Sequence, residues 1–437
     1  MLNERQAAEL TRQLLEEAGQ EWNRLEVFSR YYRGHHRWPY NPRNATNEFW
    51  TLAKRSITNL TPVVVHTVVE RLYVDGYRPH ENDNVDSESW RWWQNNGLDS
   101  RQKKLYTTVG INGYGYMLVL PGDNGPFMRP QSARTWYAKY RSTDDEYPMY
   151  AIRKNGDDES ILLDDTHRYV LQRLPGKAWE VIETAEHGLG VCPLVRFENN
   201  WDIDTEQPIG EIEPVIPVQD RLNQTIFDLL VSQTYASAPQ RYIAGLQTGD
   251  TDTSDLALAL ANRIWTFSDS DTQVGQLPPG DVNNLVQSID NAIRVYGQIS
   301  KVPPHYLLGE IVNISGDALV AADSTLSKKI EDRKTILGEA WESTLRLAAA
   351  AAGDEAAAAD RSSQVIWRET DPRSIAQVVD ALGKMVDQLH VPAQEVWPMI
   401  PGVTQQDVER WKKVQEEGDP LQQFQDELRR QIEGDDA

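Results

Sequence analysis

Across residues 281–352 the sequence keeps a helical period and breaks it once, at Pro303-Pro304. Val282, Leu285, Ile289, Ala292, Tyr296 and Ile299 recur at spacings of three and four, the stripe of an amphipathic helix over residues 281–300. Asn284, Gln287, Asn291, Arg294 and Gln298 fall on the opposite face, amides but for one arginine. The prolines end this helix, because a proline has no N–H to give and its ring clashes with the preceding turn. Residues 305–314 then read as a loop containing Gly309. Ser315 is placed to cap a second helix, which runs through Leu326, Ile330, Leu337, Trp341 and Leu345 and stops at Gly353. At a rise of about 1.5 Å per residue it is roughly 50 Å long. That is too long for the core of one small domain, and the helix reads as a strut.

The chain has 437 residues, room for two or three domains with real cores. Its 14 Trp and 17 Tyr mark a folded chain. The net charge of −22 speaks against a conventional nucleic-acid binder, which needs basic surface to displace counterions, though not against a protein that lets DNA pass without holding it. The single cysteine, Cys192, excludes an internal disulfide framework and fits a reducing cytoplasm. No apolar run reaches the ~18 residues of a membrane span. Residues 1–12 are charged and have no signal-peptide core.

Upstream, residues 3–33 form a long amphipathic helix ended by Gly34, followed by helices over 62–72 (ending at Gly76), 86–95 and 101–111. Trp90, Trp92 and Trp93 anchor the helix over 86–95 to a core. From Tyr116 to Phe197 the period changes to two, giving one antiparallel sheet with strands at 149–154, 167–173, 179–183 and 194–197. Residues 212–236 return to helix. Residues 239–280 form a small insert, with short strands at 241–244, 264–267 and 273–277 and a helix at 254–261, carried between two long helices. A strand at 364–368 and a helical tail from Asp371-Pro372, through 374–389, 404–417 and 419–433, complete the chain. The fold class is α+β, mainly helical.

No catalytic constellation stands out. Asp250, Asp252 and Asp255 begin like a calcium loop, but Asp255 stands where the loop needs glycine and Ala261 where it needs glutamate. Asp144-Asp145-Glu146, Asp157-Asp158-Glu159 and Asp164-Asp165 belong to hairpin turns, where turn chemistry explains them better than two-metal catalysis. The glycines of 110–115 match neither a dinucleotide fingerprint nor a phosphate-binding loop. His35-His36 read as loop residues at a surface or interface, and Cys192 as a buried structural thiol. Lys328-Lys329 and Arg333-Lys334 read as a solvated or subunit-facing helix surface.

Several motifs, taken in order, resemble the portal proteins of tailed bacteriophages, of the siphophage type found in actinobacterial and Gram-positive hosts. They are Ser29-Arg30-Tyr31-Tyr32-Arg33-Gly34, Gly113-Tyr114-Gly115-Tyr116, Pro193-Leu194-Val195-Arg196-Phe197 with Asn199-Asn200, and Trp367 through Asp371-Pro372-Arg373-Ser374. The strongest is Val302-Pro303-Pro304-His305-Tyr306-Leu307-Leu308-Gly309 running into Asn313-Ile314-Ser315-Gly316-Asp317. The resemblance implies a portal fold: a wing over 1–213, stem helices over 214–238 and 281–301, and a clip over 239–280. A tunnel loop over 302–316, a spine helix and strand over 317–372 and a crown over 373–437 follow. It implies a ring of about twelve copies at one capsid vertex, assembled in the host cytoplasm. The ring would pass double-stranded DNA, dock terminase and a head–tail adaptor, and meet the major capsid protein and a scaffolding protein. No enzyme activity, cofactor or metal is implied. Pro303, Pro304, His305, Tyr306, Leu307, Leu308, Gly309 and Glu310 would form the tunnel loop. Asn284, Gln287, Asn291, Arg294 and Gln298 would line the stem channel. The competing readings are a hydrolase or nuclease using the turn carboxylates, and another ring protein of the virion such as an adaptor.

Overall fold

The computed structural model describes residues 2–40, 46–78, 88–142, 144–237, 241–244, 273–276, 282–309, 316–368, 375–400, 403 and 405–418. The chain divides into two compact units. The larger comprises Met1–His35, Asn59–Ile216 and Tyr296–Ala437; the smaller comprises His36–Thr58 and Pro217–Val295.

The larger unit is built on α1 (Glu4–Tyr32), which begins with a capping box: Asn3 accepts from the Gln6 N–H and the Gln6 side chain accepts from the Asn3 N–H. One face of α1 touches three apolar clusters in turn. Ala7 and Leu14 enter one, Leu25 and Phe28 the second, and Tyr31 the third. Helices α3 (Thr61–Val69), α4 (Glu88–Asn95) and α5 (Leu98–Asn112) follow. α3 is the helix expected over 62–72, but Gly76, expected to end it, lies inside β1 (Val74–Arg78), which pairs antiparallel with β14 (Gln364–Trp367). Trp92 and Trp93 are buried in the largest cluster, and Trp90 stacks on Trp93 at 5.2 Å.

The single expected sheet is two. β2 (Tyr114–Leu120) is flanked by β3 (Phe127–Ser132) and β9 (Leu194–Glu198). β4 (Trp136–Lys139), β5 (Tyr150–Asn155), β6 (Glu159–Leu163), β7 (His167–Arg173) and β8 (Trp179–Glu186) make a five-stranded meander. β2 explains the unbroken apolar run in its sequence. Alternate side chains leave opposite faces of a strand, so Tyr114 and Tyr116 enter one core while Met117 and Val119 enter another. β9 splits the same way, with Leu194 on one side and Val195 and Phe197 on the other. Gly113 caps α5 just before β2 at φ +88, and a Cβ there would meet the Pro208 carbonyl oxygen at 2.8 Å. The glycine cluster therefore serves a helix-to-strand turn crossed by backbone. Between β9 and the helix after it, short β10 (Trp201–Asp202) and β11 (Gln207–Pro208) form a hairpin.

The long helix runs over Gly316–Ala352 and stops at Gly353, φ +82. It is not a strut. Leu326, Ile330, Leu337, Ala340, Trp341, Leu347, Ala348 and Ala349 all lie in the largest core cluster. Trp341 donates to the Tyr106 hydroxyl at 2.8 Å and meets Trp93 and Phe197 at centroid distances of 4.6 and 4.8 Å. Its length matches the row of elements packed along it, since β2, β9, α4 and β14 all contact this helix.

In the smaller unit, residues 36–58 pack with α6 (Ile216–Ser237) of the second segment. Asn223 accepts from the Thr58 N–H (3.1 Å), Gln219 donates to the Thr58 carbonyl (2.7 Å), and Phe49 meets Phe227 at 6.4 Å. His36 is buried and bonded to Asn223 at 2.9 Å, not a surface residue, because that imidazole satisfies an otherwise buried amide. α2 (Asn47–Arg55) was not expected from the sequence. β12 (Arg241–Ala244) pairs antiparallel with β13 (Gln273–Gln276). The helix expected at 254–261, the strand at 264–267, the Asp250/Asp252/Asp255 turn and the tail over 419–433 lie outside the described residues.

Candidate functional site

Helix α7 (Asn283–Ser300) carries the amide face read from the sequence, and Asn284, Gln287, Asn291, Arg294 and Gln298 are all exposed. Its apolar stripe is buried at Ala292 and Tyr296, half-buried at Val282, Leu285 and Ile289, and fails at Ile299, which is 43% exposed. The helix ends before the prolines. Lys301 adopts φ +56, Val302 donates to the Gly297 carbonyl (3.0 Å) and Lys301 to that of Gln298 (3.4 Å), the double closure of a left-handed C-cap. Gly297 is needed there, since a Cβ would meet the Val302 carbonyl oxygen at 2.8 Å.

Beyond the cap the expected loop is in part helical. Pro303 precedes α8 (Pro304–Leu308), with Pro304 in its first turn, where the missing N–H costs nothing and the fixed φ suits the helix. Gly309 closes α8 at φ +69. Pro303 is buried and Pro304 exposed; His305, Leu307 and Leu308 are half-buried, and Tyr306 is 39% exposed. Glu310 and residues 311–315 lie outside the described residues.

Two of these side chains are tied to the larger unit's core. The Tyr306 hydroxyl accepts from Arg71 Nη2 at 2.7 Å and donates to Asp323 Oδ2 at 3.2 Å; Arg71 also donates to Asp323 at 2.8 Å. His305 Nε2 stands 3.4 Å from Asp323 Oδ1. Arg71 and Asp323 are buried, so the base of the 302–316 segment rests on a desolvated ion pair. Burial works against the Arg71 charge, but Asp323 and Tyr306 outweigh it and raise its pKa.

A second ionic cluster holds the end of α7. Lys329, buried, pairs with Glu211 and donates to the Ser300 carbonyl at 2.7 Å; Arg333 reaches Glu211 at 3.3 Å. Burial pushes the Glu211 carboxyl up, and Lys329 and Arg333 outweigh it, leaving the pKa below the usual range. A cavity of about 500 Å³ opens here, lined in part by Ser300, Lys301, Glu211, Lys329, Asp332 and Arg333. The basic run is therefore only in part a solvated face: Lys328 is exposed, but Lys329 is buried because the turn at Glu211 brings an anion against the helix, and Lys334 is buried and paired with Glu331 at 2.8 Å. A signal existed. Lys329 and Arg333 alternate with Leu326, Ile330 and Leu337, so they flank an apolar stripe instead of opposing it. Arg71 and Asp323 carried no such signal.

The turn carboxylates are also structural. Glu146 accepts from Arg346 (2.9 Å) and Arg361 (2.8 Å); Asp164 accepts from the Thr166 N–H (2.8 Å) and the Tyr169 hydroxyl (2.9 Å). Asp157 pairs with Lys154 at 3.0 Å. Cys192 is buried, which pushes its thiol pKa up. Among the described residues no three His, Cys, Asp or Glu side chains group to hold a metal, and no helix is long and apolar enough to cross a membrane.

The family model described as phage portal protein, SPP1 Gp6-like, matches residues 12–421. This chain belongs to that family. It is 27% identical over 348 residues to the portal protein of Mycobacterium phage D29, covering 74% of this chain and 70% of that one. It is 25% identical over 343 residues to the portal protein of Mycobacterium phage L5, with the same coverages. Among solved structures, it aligns with a chain of the neck of a native GTA particle computed with C12 symmetry. There the TM-score is 0.48 at 11% identity, over 83% of this chain and 95% of that one. A chain of the neck of an empty GTA particle computed with C6 symmetry gives 0.45 at 11%, over 81% and 91%. Portal proteins are structural components of the virion, forming its ring-shaped portal, and the mainly helical α+β architecture described above is that of a portal subunit.

Proposed function

We propose that this portal protein assembles as a closed ring of twelve copies at one capsid vertex and that double-stranded DNA passes through the ring during packaging and ejection. The observation that carries the reading is the family match over residues 12–421. The physical chemistry of the chain supports it. A net charge of −22 per copy disfavours lasting phosphate contacts, as a conduit requires. In this reading α6 and α7 are the stem, and Asn284, Gln287, Asn291, Arg294 and Gln298 face the channel. Residues 239–280 are the clip, 302–316 the tunnel loop, and 373–437 the crown. Residues 36–58, read as part of the wing, share the smaller compact unit with residues 217–295.

The ring acts without catalytic chemistry of its own and without a cofactor. It docks terminase during filling, then a head–tail adaptor, and it meets the major capsid protein and scaffolding protein during assembly in the host cytoplasm. Negative-stain imaging of the purified chain tests the reading. Annular particles with an axial hole are expected; isolated globular particles at every concentration and salt would contradict it.

A further inference from the structure

A second cavity, of about 330 Å³, lies in the larger unit between α5 and β3. Its polar lining is Arg101, Lys104, Thr108, Arg129, Gln131 and Ser132: three cations and no carboxylate, in a strongly acidic chain. Both guanidiniums are fixed to one residue. Arg101 Nη1 donates to the Asn96 carbonyl, and Arg129 Nη1 to Asn96 Oδ1 at 3.0 Å. Asn96 is itself buried and immobilised, donating to the carbonyls of Trp92 (2.9 Å) and Pro126 (2.8 Å) and accepting from the Met128 N–H (2.9 Å). Arg129 also lies over the Phe127 ring at 4.3 Å. Lys104 is exposed, one turn along α5 from Arg101.

None of the three cations has an ion-pair partner among the described residues. Several surface cations of this unit are paired, such as Arg24 with Glu21, Arg134 with Glu26, Lys139 with Glu17 and Arg168 with Glu183; isolated lysines such as Lys103 and Lys177 are not paired among the described residues, but here three cations share one cavity. Burial and the charge of Arg101 both hold Arg129 below the usual guanidinium value. Two like charges pinned to one amide are unfavourable until an anion stands between them. The groove is thus built, rigid and uncompensated.

We propose that this groove takes the carboxylates of a second copy of the chain, and so forms part of the contact between neighbouring copies of the ring. The proposal rests on the ring reading above. Charge complementarity selects the occupant: the chain offers 66 Asp and Glu against 44 Lys and Arg, so another copy is the nearest abundant source of carboxylates. Duplex DNA is disfavoured, because it presents unbroken negative charge to an acidic chain, whereas a second copy brings 44 Lys and Arg beside its 66 Asp and Glu.

The test is charge reversal. The double variant Lys104→Glu, Arg129→Glu and the single variant Lys104→Glu are compared with the full-length protein by mass photometry across a dilution series. Lys104 is exposed and without a hydrogen-bond partner among the described residues, so the single variant keeps the fold even where the double does not; thermal unfolding checks both. The concentration at which half the rings dissociate is expected to rise at least about tenfold in low salt for the double variant and less for the single. High salt should shrink the difference. Folded variants whose rings dissociate at the wild-type concentration overturn the proposal while leaving the ring reading intact. Rings of wild-type stability that lose affinity for a fluorescent DNA duplex overturn it in favour of a nucleic-acid site. Absence of rings from the wild-type protein removes both.

Discussion

Lys329 is 5% exposed, beside the apolar positions Leu326 and Ile330 of its helix, and the Glu211 carboxylate and the Ser300 carbonyl make its burial tolerable. Removing Lys329 leaves the buried Glu211 carboxylate with Arg333 as its remaining counter-charge among the described residues. Lys329→Met should therefore lower stability by less than the about 3–5 kcal/mol of a wholly unpaired buried charge. Combining it with Glu211→Gln should lose less than the sum of the two single variants, which urea unfolding of all four proteins measures; additive losses would mean the groups do not act as a unit. Glu146 gives a pH-dependent counterpart. Burial raises its pKa, but Arg346 and Arg361 outweigh it and bring it down to about 2. A depressed carboxyl contributes stability that is complete above its unfolded pKa and is lost as pH falls through that value toward about 2. Wild type should exceed Glu146→Gln by about 1 kcal/mol near neutral pH, discounted for partial exposure, with the gap closing below about pH 4. A gap that stays constant into acid would contradict the assignment. The burial of Lys329 had a signal in its apolar neighbours, but the partners in neither cluster were legible in the sequence. Glu211 and Lys329 are 118 residues apart, and Glu146 and Arg346 are 200, so no local pattern marks the pairing.

At the scale of elements, the periodic segments were the legible ones. The helices at 4–32, 98–112 and 283–300 and the strands at 150–155, 167–173 and 194–198 stand within a few residues of their sequence patterns. β3 was hidden by Pro130, tolerated because it lies on an edge strand opposite Met117. β4 is only four residues long and β6 sits among acidic turns, so neither shows a clear alternation. Pro303-Pro304 read as a breaker, yet the break is made by Lys301 in a left-handed cap, and Pro304 starts a new helix. That changes what the 302–316 segment can do. Its first half is anchored by Tyr306 and His305 to Arg71 and Asp323, so movement about this point must break the hydrogen bonds of Tyr306 to a buried ion pair. Replacing residues 306–310 with Gly-Ser should spare the ring and reduce the length of DNA packaged or retained in otherwise wild-type particles. Pulsed-field sizing of the packaged DNA measures this; full-length genomes would remove the segment from any role in the channel.

For the whole molecule, the resemblance rested on motifs spread along the chain, and the family match covers nearly the same span. The distribution of residues between two units was not legible. Residues 36–58 join α6 through Asn223 and Gln219, contacts over a sequence separation of more than 160 residues. The face of α7 was legible because its five polar positions repeat at helical spacing, and the structure leaves each of them exposed. The acidity of the chain acts only at this scale. In a ring the charge multiplies, so copies need local attraction to close against a mean repulsion, and shielding by salt should favour assembly wherever such attraction is not itself ionic. Native mass spectrometry of the purified protein at micromolar concentration and several ionic strengths tests the central claim most directly. The account predicts one closed species near twelve times the subunit mass of 49.7 kDa; a monomer under every condition would contradict it.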